Sequence, residues 1–112
     1  QADAAAAGAL AAFDGVVLAA LRDTESALVV LARDRDRHGA LQNARAHAET
    51  AWKQVHALHQ AGRLGLLDDL EAEHGLIAAD AAIAASQARV AADEIRLFLA
   101  LGGGWQARPP AP

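Results

Sequence analysis

From Leu10 onward, apolar residues return every three or four positions: Leu10, Phe13, Val17, Ala20 or Leu21, Ala27 or Leu28, and Leu31. That interval predicts a helix with one apolar face. Across Arg33, Asp34, Arg35, Asp36 and Arg37 the charges alternate in sign, which on a helix makes a solvated face with local ion pairs. The apolar spacing resumes at Leu41, Ala44, Ala48, Ala51, Val55 and Leu58, alternating three and four in the manner of a coiled coil. Gly39 lies between the two halves and allows a bend, although a helix tolerates one glycine at a cost of about 1 kcal/mol. The pattern predicts one long first helix within residues 1–60.

A second helix is predicted over 66–101, and it carries two apolar stripes. One is Leu76, Ile83, Val90 and Leu97, at strict seven-residue spacing; the other is Ile77, Ala81, Ala84, Ala88, Ala91, Ile95 and Phe98. One partner helix needs one stripe. Two adjacent stripes therefore predict contact from two directions, by the first helix and by a helix supplied from elsewhere, with a left-handed twist. No alternation of period two, the mark of a strand, occurs along the chain.

Between the helices stand Gly62 and Gly65, and glycine takes positive φ without steric cost, so 61–65 reads as a tight turn. Asp68, Asp69 and Glu71 follow in the first turns of the second helix, where negative charge meets the positive end of the helix dipole. Residues 102–112 form a glycine- and proline-rich tail: Gly102, Gly103 and Gly104 stop the helix, and all three prolines fall in the last four positions.

Composition narrows the function classes. With 10 Lys and Arg against 14 Asp and Glu, and with the basic residues scattered, nothing forms a nucleic-acid surface. Cysteine is absent, which removes thiolate chemistry and cysteine metal sites. Residues 4–21 are apolar apart from Asp14, yet they are mostly alanine and glycine and lack a basic front. They read as a water-exposed helix that packs on others rather than as a signal peptide or membrane span. His56 and His59 lie three apart, as zinc ligands can, but no second ligand pair accompanies them, so no metal or other cofactor is expected. Asp68 and Glu71 sit on a turn without an enclosing pocket, so acid–base catalysis, and enzymatic activity generally, is not expected. Trp52 and Trp105 read as packing anchors.

Two motifs at a fixed separation carry a resemblance: AGRLGLLDDLEAEHGL from Ala61 to Leu76 and FLALGGGW from Phe98 to Trp105, preceded by VLAALRDTESAL from Val17 to Leu28. Together they resemble the C-terminal portion of TolC-like outer membrane efflux proteins, over roughly Phe13 to Trp105. The resemblance implies an all-α fold here, a long antiparallel two-helix coiled-coil hairpin that is a fragment of a trimeric α-helical barrel. The strands that would enter the membrane are absent from this piece. It implies a conduit wall for export of small molecules, located at the outer membrane with this portion periplasmic. The implied partners are two further copies in a homotrimer, a periplasmic adaptor protein and an inner-membrane pump.

Residue by residue, the resemblance makes Gly62, Arg63, Leu64 and Gly65 the adaptor-docking tip and gives Leu66, Leu67 and Leu70 the task of seating the second helix. Asp68 and Glu71 become candidates for a pore constriction, where threefold symmetry would crowd carboxylates. Asp69, at a usually apolar position, Glu73 and His74, where glutamine and arginine are common, and His59, often a tyrosine, depart from the family pattern. A stand-alone coiled-coil oligomerisation module is the alternative reading of the same heptads.

Overall fold

The computed structural model describes residues 2–102. They form two helices, α1 (Ala2–Gln60) and α2 (Leu66–Ala100), and no strand occurs among them. The chain is an all-α helical hairpin. Alanine-rich sequence without internal proline favours uninterrupted helix, and Gly39 is an interior residue of α1. The predicted tail lies mostly at residues 103–112, including Trp105, which are outside the described residues; Gly102 ends α2 with φ of 83°.

The chain divides into two compact units. The first comprises residues up to Ala32 together with those from Ala92 onward. Here Leu31, Asp93 and, half-buried, Ala27, Leu97 and Ala100 face inward, and Leu31 is the buried apolar residue of the described chain. The Thr24 hydroxyl lies 3.4 Å from the carbonyl oxygen of Ala100. Residues 3–23 of α1 are exposed throughout. Helix α1 includes a stretch long and apolar enough to cross a membrane by length and composition, with none of that stretch buried.

The second unit is Arg33–Ala91 and contains the turn. On α1 the less exposed residues include Asp34, His38, Leu41, Arg45, Ala48, Trp52, Val55 and His59, a series that alternates in steps of four and three. On α2 the corresponding set is Asp69, Ala72, Leu76, Ala79, Ile83, Ser86 and Val90. This is heptad geometry, in which each helix keeps one stripe toward its partner.

The stripe turned inward on α2 is the strict heptad, whereas Ile77, Ile95 and Phe98 of the other stripe remain 60–61% exposed. Of the predicted α1 stripe, Leu41, Ala48 and Val55 are half-buried, and Ala44, Ala51 and Leu58 are not. The inward face is also unusually polar, with His38, Arg45, Asp69 and Ser86 interrupting the aliphatic residues. Arg45 reaches Asp80 on α2 at 2.8 Å and also pairs with Glu49 along α1, while Lys53 holds the other Glu49 oxygen at 2.7 Å.

Candidate functional site at the hairpin turn

The turn is built from paired backbone groups. Gly62 has φ of 70°, in the left-handed region where a side chain costs energy. Its N–H donates to His59 O at 2.8 Å, and Arg63 N–H donates to Leu58 O at 2.9 Å. These two bonds make the Schellman end of a helix and satisfy carbonyls that α1 would leave open.

Gly65 departs from expectation. Among the described residues only Gly62 and Gly102 have positive φ, so Gly65 does not serve the turn through left-handed backbone. It is the N-cap of α2 instead. Its carbonyl accepts the first helical bond from Asp69 N–H at 3.5 Å, and its own N–H donates to Asp68 Oδ2 at 3.1 Å. A side chain at the third helical position reaching back to the N-cap N–H is half of a capping box. Asp68 therefore has a structural task at the helix start, where its charge also meets the dipole favourably. Glu71 is exposed one turn later.

Side chains tie the two helices together across the turn. Asp69 is only 8% exposed, and its carboxylate accepts from His56 Nδ1–H, with the two oxygens 2.9 and 3.2 Å away. A carboxylate can only accept, so the ring proton of His56 sits on Nδ1. The same imidazole stacks on Trp52, with ring centroids 5.4 Å apart. His59 Nδ1 donates to Leu64 O at 3.1 Å, which fixes the middle of the turn. Both histidines thus serve the turn, and no group of three or more potential metal ligands assembles among the described residues.

Leu66, Leu67 and Leu70 are 59%, 70% and 50% exposed, so they do not seat α2 within the hairpin. That position is taken by Asp69, while Leu64 is half-buried in the turn itself. The reason is angular. Stepping back one heptad from Leu76 lands on Asp69, and the three leucines fall on the outer faces of the first turns. Arg63 is exposed at the apex. Asp69 and His56 are the pair that sequence reasoning missed, and the heptad Leu76, Ile83, Val90, Leu97 extended backwards was the signal that could have found it.

Farther along α1, the Lys53 ammonium holds the Glu49 carboxyl below its usual range through a hydrogen bond and its charge, helped by the charge of Arg45. Asp80, by hydrogen bond and charge, raises Arg45 above its usual value, and Glu49 adds to this. The arrangement joins side chains along α1 and across to α2 by charge and hydrogen bonds.

No protein-family description matches the chain, and no solved structure matches it. The chain is 33% identical to Nodulation protein T of Rhizobium leguminosarum bv. viciae over 102 residues. The match takes in 91% of this chain and spans 21% of the length of that relative.

Proposed function

We propose that this chain is a helical hairpin of a TolC-like outer membrane efflux channel, forming part of the periplasmic conduit wall and presenting the turn to an adaptor protein. The observation that carries the reading is the large apolar side chains left exposed on each helix. Leu70, Ile77, Ile95 and Phe98 on α2, with Leu10, Phe13, Val17 and Leu21 on α1, are all 40% or more exposed. Exposed apolar side chains repeated along one face of a helix mark an interaction site. Neighbouring hairpins in a ring of three chains supply the cover, and the resemblance from Phe13 to Trp105 points to that ring. Similarity to one segment of a longer protein fits a hairpin that works as part of a larger whole.

In this reading the hairpin does no chemistry on what passes. An inner-membrane pump supplies the energy through the adaptor, and the apex of Gly62, Arg63, Leu64 and Gly65, exposed except for the half-buried Leu64, is the docking tip. Glu71, exposed, contributes a carboxylate to the pore constriction, and Asp68 contributes there with the oxygen not held by Gly65.

The test is single-channel conductance of the full-length protein in planar bilayers. Glu71→Gln and Asp68→Asn are expected to lower cation selectivity with the fold retained, since asparagine keeps an acceptor for the Gly65 N–H. A stand-alone oligomerisation module predicts no ion conduction by the full-length protein, and that result would displace the channel reading.

A further inference from the structure

Within residues 33–91, a groove of about 130 Å³ opens beside the inward stripe, lined by Arg37, Leu41, Ala82, Ala85, Ser86 and Arg89. Its charge is of one sign. Arg45, Lys53 and Arg96 each hold a carboxylate, whereas Arg37 and Arg89 make no ion pair among the described residues, and no acid lines this groove. Two like charges sharing a cleft repel, and an anion between them relieves that cost. A guanidinium presents a planar fork that fits a carboxylate or phosphate with two parallel bonds.

The rest of the lining narrows the class. Ser86 is 7% exposed, so its hydroxyl is a sheltered donor, while Leu41, Ala82 and Ala85 supply apolar surface. Such a mixture suits a ligand with an apolar body and a charged end. By contrast, the groove of about 300 Å³ in the other unit is lined by Asp23, Asp93 and Arg96, so both signs are already present there.

We propose that the groove between Arg37 and Arg89 binds a small organic carboxylate with a compact apolar body. The two guanidiniums hold the carboxylate, the Ser86 hydroxyl donates to it, and Leu41, Ala82 and Ala85 meet the apolar part. This assignment does not rest on the channel reading.

The experiment is an NMR titration of the full 112-residue chain with arginine side chains labelled, at constant ionic strength, using sodium benzoate as probe. Saturable shifts are expected at the Nε–H signals of Arg37 and Arg89 and at the Ser86 amide, with Arg22 and Arg63 unmoved. Benzyl alcohol, the uncharged analogue, is expected to move none of them. Arg37→Gln and Arg89→Gln, both at exposed positions and so expected to keep full helicity, should each weaken benzoate binding about tenfold or more, as loss of a charge-assisted bond does.

Uniform or unsaturable shifts across all arginines would reduce the effect to ionic screening and overturn the site. Inorganic phosphate binding as tightly as benzoate would overturn the role of the apolar lining and with it the assigned class. Arg37 and Arg89 signals that move with protein concentration and ignore benzoate would show a carboxylate of a second copy in the groove, which also overturns it.

Discussion

His56 on α1 and Asp69 on α2 are joined across the turn, Nδ1 to Oδ2, at 2.9 Å. This bond is made at a position where a coiled coil ordinarily places an aliphatic side chain, and it closes the hairpin at the end where the helices are covalently connected. His56→Ala strands the sheltered carboxylate and is expected to cost about 1–3 kcal/mol in urea denaturation, whereas Asp69→Ala leaves a His56 donor that water can reach and is expected to cost about 1 kcal/mol. The double variant should cost less than the two added together, with a coupling of about 1 kcal/mol. Strict additivity would show that the pair does not fasten the turn.

The two turn glycines should respond differently to alanine. Gly62→Ala forces a Cβ into left-handed backbone and is expected to lower stability by about 1 kcal/mol or more. Gly65 does not have positive φ, and an added Cβ there meets only the flexible end of Asp68 at 3.4 Å. Gly65→Ala should therefore cost only several tenths of a kcal/mol, the difference between glycine and alanine as an N-cap. Thermal denaturation of both variants gives the comparison.

Acid should weaken the hairpin partly through Glu49. Its carboxyl is held below the usual range by Lys53 and then Arg45, so the folded state favours the ionised form. A group with a depressed folded value stabilises above its unfolded pKa of about 4.3 and loses that contribution as pH falls through the folded value. Glu49→Gln is expected to flatten the dependence of the urea midpoint on pH below about 5 and to leave the slope above it unchanged. The raised Arg45 adds nothing over this interval, because guanidinium stays protonated in both states.

Substitutions on the two α2 stripes should separate stability from association. Ile83 belongs to the inward stripe, so Ile83→Ala is expected to cost about 1–2 kcal/mol, below the figure for a fully buried site because Ile83 is half-buried. Ile77, Ile95 and Phe98 belong to the exposed stripe, and changing all three to serine should leave helicity nearly intact while reducing self-association. Sedimentation velocity reads the second effect. A parent chain that is monomeric at all concentrations would remove the interaction face.

Helix, turn and helix were legible because each depends on local chemistry: alanine without proline extends a helix, and glycine at Gly62 permits the backbone to reverse. The two apolar stripes on α2 were legible too, because periodicity is a property of the chain alone. Which stripe turns inward was not, since either would satisfy one partner helix. Burial along α1 chose the strict heptad and left Ile77, Ile95 and Phe98 outside.

The candidate site divides in the same way. Acidic residues at the start of α2 were visible as helix-start chemistry, but their separate duties depend on angle around the helix axis. A single residue step turns Asp69 inward to His56 and leaves Asp68 to cap Gly65, and the same rotation puts Leu66, Leu67 and Leu70 outside. The sequence by itself determined two helices and the place where they reverse, because those follow from interactions within a few residues. Only the tertiary structure decided which polar groups meet across the turn and which apolar face stays uncovered, because both depend on how one helix is rotated against the other.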